Sequence, residues 1–554
     1  MTTLIENMAD WASSLRYEDL PDRVVRKAKL QFLSMMAAVY SGYPTRTARA
    51  IREVILSTRA QGRSTVFPQG EPTSPTVAVV ANAAASAALD YDDYVFLSHT
   101  GHSAVLASLA QTQESGLSGR HLLCAQIIAN EISGRLGASV ILGPQNGQLW
   151  THIHAAGAAC AGAKILDLSP EQTAHAMALS LYQPPLAMWP GFMGPDSKLL
   201  SAAFPARDGL MCARLASWGL TGPLDILENK LGFGQHFSYQ FLPQMFSGLG
   251  EAWLTDTLSY KIYPGCAYID SALDALFDTM EQFQAANDRP LEAGDIVEAS
   301  VHTTLLGAEM CRLTEDNPQT PLKPVQVNYS LPHSLALALL AGKLTPAELH
   351  EQELKNRQDE IRAIAQKFEI VHDWSLTLSL FEGISENVPL RSLLSEIDLK
   401  QILSLWGETG RSLGASLIPS PKDLLRIGSF LWARAPGLVR QASRVATSGI
   451  PMGKDKEEKS FNLAQAQLAS LPMRLGSELI LHLRGNRKLS ARVEIPSGAA
   501  GRDAAETEGL VRKKFRDLAT PFLDQGQVQH ALDLIDQLED LPNLSELSKC
   551  LCVP

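Results

Sequence analysis

Thr76–Leu89 reads TVAVVANAAASAAL, almost wholly alanine, valine and serine, and Ala155–Ala163 reads AAGAACAGA. Neither stretch alternates as a strand would, and their small faces let neighbouring helices approach closely. Two such helices are expected at the centre of a bundle. Working outward, Pro21 opens a segment in which Val24, Val25, Ala28, Leu30, Phe32, Leu33 and Met36 fall roughly at helical spacing, with Gly42 as its stop. Residues 1–265 read as helix after helix, with no strand alternation of any length.

The texture changes after about residue 290. IVEASVHTTL, FEIVHDWSLTLSLF and SELILHLRGNRKLSARVEIP carry the β-branched, alternating pattern of strands, the last with a hairpin turn at Gly485 and Asn486. Helical patterns lie between them, including SLPHSLALALLAG and TPAELHEQELKN. The fold class is therefore mainly α with α+β. A large all-helical domain (1–265) is expected to be completed by the C-terminal segment 507–554, and a smaller α+β domain spans 266–506. One stretch inside the second domain, about 385–465, reads as a helical insertion packed on it. Its apolar face of Leu424, Ile427, Phe430, Leu431, Leu438 and Val439 is ringed by Lys422, Arg426, Arg434, Arg440 and Arg444, with a break at Pro436 and Gly437 and a charge run, KDKEEK. A partner or membrane-surface contact is the alternative reading of that face.

The chain has 554 residues, 45% hydrophobic and 19% charged, ordinary values for a globular protein and long enough for two cores. A formal charge of -11 argues against general affinity for nucleic acid or anionic lipid. The opening MTTLIENMADWASSLRYEDLP has no apolar core of the signal-peptide kind, and no membrane span is expected, so a cytoplasmic location is the plain expectation. Seven scattered cysteines with no CxxC pair suggest neither a disulfide framework nor a zinc site.

Seven segments, in order, carry a resemblance. They are EDLPDRVVRKAKLQFL; ALDYDDY followed by SHTGHSAVLASLA; GRHLLCAQIIANEISGRLG; AGAKILDLSPEQTAHAMALS; DSKLLSAAFPARDGLMCARLASWGLTGPLDILENKLGFG; KIYPGCAYIDSALDAL; and VNYSLPHSLALALLAG. Together they resemble the MmgE/PrpD family, whose members include 2-methylcitrate dehydratase, cis-aconitate decarboxylase and iminodisuccinate epimerase. The resemblance implies a discontinuous helical domain with an α+β lid and a homodimer. It places the active site in the cleft between the two domains, without metal or organic cofactor.

Residue by residue, the resemblance places Lys198 and Lys261 at two active-site lysines, Asp90 at a site aspartate, and His99 at the histidine of a His-Pro-Gly-Ser motif. Thr100 replaces that proline, and His102 has a similar claim. Asp92 and Asp93 are open to a second reading as caps of the following helix. Several positions depart from the family pattern: Tyr94 stands for a threonine, His333 for a site tyrosine, and Asp270 for a frequent histidine. Gln148 or Thr151 stands where a histidine is expected near the Ala-rich helix, and His152 or His154 beside that vacancy is a substitute or a packed core residue.

Chemistry next to a carboxylate needs cations to hold oxygens and a base and acid across the substrate. Lys198 and Lys261 fill the first role, His99 and His333 the second, with Asp90 orienting one histidine and Tyr94, His102 and His152 contacting substrate. The expectation is a lyase (dehydratase or decarboxylase) or an isomerase acting on a small polycarboxylate or biosynthetic intermediate. The departures weigh against 2-methylcitrate itself. A divergent member that binds or scaffolds through its insertion is the alternative.

Overall fold

A computed structural model describes residues 2–96, 98–143, 151–192, 194–314, 320–395, 398, 421–434 and 461–553. Helices α1 (Leu4–Ser14), α2 (Asp22–Gly42), α3 (Arg46–Leu56), α4 (Pro75–Ala87), α5 (Gly101–Ser115), α6 (Gly119–Ser139), α7 (Thr151–Ile165), α8 (Pro170–Tyr182) and α9 (Leu200–Ser217) build the body. The two small-sided stretches are α4 and α7, and both lie almost wholly inside. Helix α7 packs against α9, α6 and α5. Small residues make this possible: a Cβ at Gly209 of α9 would collide with the carbonyl oxygen of Ala155, and one at Gly157 with the hydroxyl of Ser133.

Two short antiparallel ladders interrupt the helices, where the sequence showed no strand. They are β1 (Ser64–Val66) with β2 (Glu71–Thr73), and β3 (Asp93–Tyr94) with β4 (Ser259–Tyr260). At two or three residues a strand is too short to show alternation.

The second part is a four-stranded sheet, ordered β6-β5-β7-β8, of β5 (Ile296–Thr303), β6 (Phe368–His372), β7 (Ser477–Leu483) and β8 (Arg487–Val493). Strand β5 runs parallel to β6 and antiparallel to β7, and β7 antiparallel to β8. Gly485 and Asn486 turn the hairpin with φ of 77° and 58°. Helix α10 (Ala267–Asn287) covers β7 and β8 and packs on α11 (Leu331–Ala341), which in turn packs on α12 (Glu351–Ala365). These elements share one apolar cluster, distinct from that of the body.

The chain end returns to the body. Helices α15 (Ala504–Ala519) and α16 (Gln525–Asp536) put Val511, Phe515, Leu532 and Ile535 into the body's cluster. The Tyr40 hydroxyl of α2 donates to Leu551 O at 2.8 Å.

The flanks of the insertion depart from expectation. Ile384 and Val388 around the end of α13 (Trp374–Asn387), with Leu393, Phe461, Leu463 and Leu468, join the body's cluster rather than that of the sheet. Apolar residues concentrated at the two ends of the stretch seek the larger core, and periodicity alone names no partner. Helix α14 (Pro421–Arg434) touches α13 and half-buries Ile427, Phe430 and Leu431. The expected break at Pro436 and Gly437 and the charge run at 454–459 lie outside the described residues. Among the described residues, no helix is long and apolar enough to cross a membrane.

Candidate active site

Leu89 and Tyr91 pack into the sheet-side cluster, whereas Ala88 and Tyr94 pack into that of the body. Asp90 therefore stands on the seam. Its φ of 53° is left-handed, a conformation that aspartate tolerates better than most residues. The kink ends α4's periodicity and turns successive carboxylates in different directions.

Two lysines meet there. Lys198, in the turn leading into α9, donates to Asp90 Oδ1 at 2.6 Å. Lys261, just after β4, donates to Asp90 O and Oδ2, both at 2.8 Å, and to Asp92 Oδ1 at 2.6 Å. All four side chains are buried. The Lys198 ammonium also lies 4.8 Å from the centre of the Tyr329 ring, contributed by the segment before α11.

Asp92 carries the structure on to the histidines. Its Oδ2 is 2.7 Å from His99 Nδ1 and 3.1 Å from His102 Nε2, though the latter is not aligned as a hydrogen bond. His102 Nδ1 pairs with the Ser86 hydroxyl at 2.8 Å. A carboxylate can only accept, so Nδ1 of His99 donates and the basic lone pair falls on Nε2.

Burial would raise the pKa of both aspartates, but it is outweighed. Lys198 and Lys261 hold Asp90 well below the usual carboxylate range, and Lys261 with the two histidines does the same for Asp92. Burial works against the charge of Lys261, yet Asp90 and Asp92 push its pKa up. For His99 burial prevails and lowers the pKa despite Asp92. The centre is thus two carboxylates, two ammoniums and an imidazole that is neutral near pH 7, with no net charge.

The structure brings Asp90, His99, His102, Lys198 and Lys261 together, with Tyr94 nearby at 6.3 Å between its ring centre and that of His99. Asp92, weighed in the sequence as a helix cap, is the carboxylate paired with His99, and Asp90 pairs with both lysines. Helix α5 begins after Thr100 with no side-chain cap, so neither Asp92 nor Asp93 serves there.

His152 is elsewhere, set edge-on against the stacked rings of Phe233 and Phe237 with ring centres at 4.8 and 5.0 Å, and neither ring nitrogen has a partner among the described residues. Burial lowers its pKa to about 3. His154 instead extends the imidazole row, 5.9 Å from His102, with Nδ1 paired to the Ser103 hydroxyl at 3.0 Å. Both lie in the first turn of the Ala-rich helix, where a one-face shift separates a core residue from a site neighbour.

His333 pairs through Nδ1 with the Ser330 hydroxyl at 2.7 Å on the segment that presents Tyr329. Thr151 opens α7, and Gln148 lies outside the described residues. Asp270, in the first turn of α10, accepts from Ile262 N at 3.4 Å, and burial followed by Asp274 pushes its carboxyl well above the usual range. Burial raises the Cys266 thiol to about 12, which removes it as a nucleophile. Among the described residues no group of three His, Cys, Asp or Glu side chains is placed to hold a metal ion.

A helical body, a smaller α+β part and a buried cluster of aspartates, lysines and histidines on their seam define a two-part architecture. Residues 6–245 match the MmgE/PrpD N-terminal domain and 263–385 the MmgE/PrpD C-terminal domain, and the chain belongs to the MmgE/PrpD family. Among relatives, it is 24% identical over 382 residues to a cis-aconitate decarboxylase of Aspergillus terreus, covering 64% of this chain and 76% of the relative. It is 23% identical over 382 residues to that of Homo sapiens (67% and 77%) and 24% over 392 residues to that of Mus musculus (67% and 76%).

Proposed function

We propose that this protein is a lyase that eliminates a small group, carbon dioxide or water, from a compact polycarboxylate. The observation that carries the reading is Asp92, which links the Lys261 ammonium on one side to a histidine on the other. That arrangement sets a general acid–base next to fixed positive charge. The family and the cis-aconitate decarboxylase relatives support the substrate class.

A substrate carboxylate binds by drawing Lys198 partly from Asp90, since the centre has no spare positive charge at rest. In decarboxylation the carbon–carbon bond to the departing carboxylate breaks, its electron pair passes into the adjoining unsaturated carboxylate, and His99, neutral at rest, takes a proton from solvent and delivers it to carbon. In dehydration neutral His99 removes the proton beside a carboxylate, and hydroxide leaves with a proton as water. Lys198 and Lys261 lower the cost of the carboxylate charge that builds up in either case. A protein kept only for binding has little reason to hold four charges in its interior, where each costs several kcal/mol unless paired.

The test is incubation of the purified protein with cis-aconitate, citrate and 2-methylcitrate, followed by proton NMR. Loss of carbon dioxide or water from one of them, unaffected by EDTA, is the expected result. No turnover of any of the three would overturn the reading.

A further inference from the structure

Both family-matched stretches end before residue 386, yet one buried charge beside the centre comes from far beyond them. Lys514, in α15, is 4% exposed. Its Nζ donates to Tyr91 O at 2.7 Å, to Lys261 O at 3.0 Å and to the Ser34 hydroxyl at 3.1 Å, and lies 3.9 Å from the Tyr91 ring centre. An ammonium has three donors, and all three are used. Tyr91 O is the carbonyl between Asp90 and Asp92, and Lys261 O belongs to the residue whose side chain binds both carboxylates.

We propose that Lys514 is a positioning residue, which pins the main chain of the Asp90–Asp92 loop to that of Lys261 and so fixes the spacing between carboxylates and ammonium. Filling that space alone needs no charge, since an apolar side chain would do so without the desolvation cost. Asp92, Asp93 and Asp270 face Lys514 and favour its charge, while Lys261 and burial oppose it. Burial is the larger effect and lowers its pKa to about 7. The clamp is therefore strongest below neutral pH.

The variants are Lys514→Met and Lys514→Gln, with Lys513→Met as control, since Lys513 is exposed and pairs with Asp517. Backbone hydrogen exchange is followed in peptides covering 88–96 and 258–264, and kcat and KM are measured on cis-aconitate across pH. The kinetic arm rests on the lyase reading; the exchange arm does not. Expected for both Lys514 variants is faster exchange confined to those two segments, with kcat lower by on the order of tenfold to a hundredfold and KM little changed. Wild-type kcat should carry a limb near pH 7 that the variants lose. Exchange that rises throughout the molecule, failure of both variants to fold, or exchange unchanged from the control would each overturn the proposal. If the wild type turns over no polycarboxylate, the lyase reading fails while the exchange result still decides the clamp.

Discussion

His99 and Asp92 work as a pair because one carboxylate oxygen holds one ring nitrogen at 2.7 Å. Replacing His99 by alanine should lower the rate on the true substrate by about a hundredfold or more, the scale of one general acid–base group. Asp92→Asn should cost a similar factor, because an amide neither fixes the tautomer nor stabilises the imidazolium. Near-wild-type rates in both folded variants would move the chemistry to His102 or His154. His152 makes the contrasting case, a buried imidazole with a folded pKa of about 3 against an ordinary 6.5. Its contribution to stability is present above 6.5 and lost as pH falls toward 3, since only the unfolded chain takes up the proton. At pH 4.5 that loss is about 3 kcal/mol. Thermal unfolding at pH 7.5 and 4.5 should show His152→Phe gaining on the wild type by about that amount in acid; a pH-independent difference would show that His152 is not the sensor.

At the scale of elements, the sequence made the helices of the body legible because small residues and caps act locally. Thr3 at the start of α1 and Ser169 at the start of α8 close reciprocal hydrogen bonds with Glu6 and Gln172, as local chemistry dictates. Motif matches placed Lys198 and Lys261, but not Asp92, since the left-handed Asp90 breaks any periodicity that would say where each carboxylate points. Lys514 was illegible for another reason: VRKKF reads as a solvated helix face until the helix is docked. The insertion shows the same limit, its apolar ends finding the body core rather than the sheet. Because both ends, Leu393 and Phe461, pack in that core, residues 396–460 should be replaceable by a flexible linker. Loop closure grows only slowly with length. Circular dichroism and the melting temperature should stay close to wild type, and a molecule that no longer folds would make the insertion part of the core.

For the whole molecule, the question is how a substrate reaches groups that are shut in. Asp90 and Lys261 are 0% exposed, Lys198 1% and His99 7%. A polycarboxylate can touch them only after part of their cover moves, and we propose that the motion is a separation of the body from the sheet-side part along the seam of Leu89 and Tyr91. Opening must then precede or accompany binding, and it sets an upper limit on association. The junction is bridged where Arg46 of α3 lies 3.5 Å from Glu351 at the head of α12; the 2.8 Å hydrogen bond from Arg46 to Asp196 stays within the body. The contact with Glu351 is half exposed, so it is worth little to global stability, about 1 kcal/mol at most. The same small energy weighs more in a local opening equilibrium, where it shifts the open population about fivefold. Arg46→Ala should therefore leave the melting temperature nearly unchanged and raise the limiting rate of binding. Stopped-flow mixing with a turned-over polycarboxylate checks this: the observed rate should level off with concentration in the wild type, at a higher plateau in the variant. A wild-type rate that climbs linearly toward about 10⁷ M⁻¹s⁻¹ would mean that the centre is already open to solvent traffic and that no lid motion gates it.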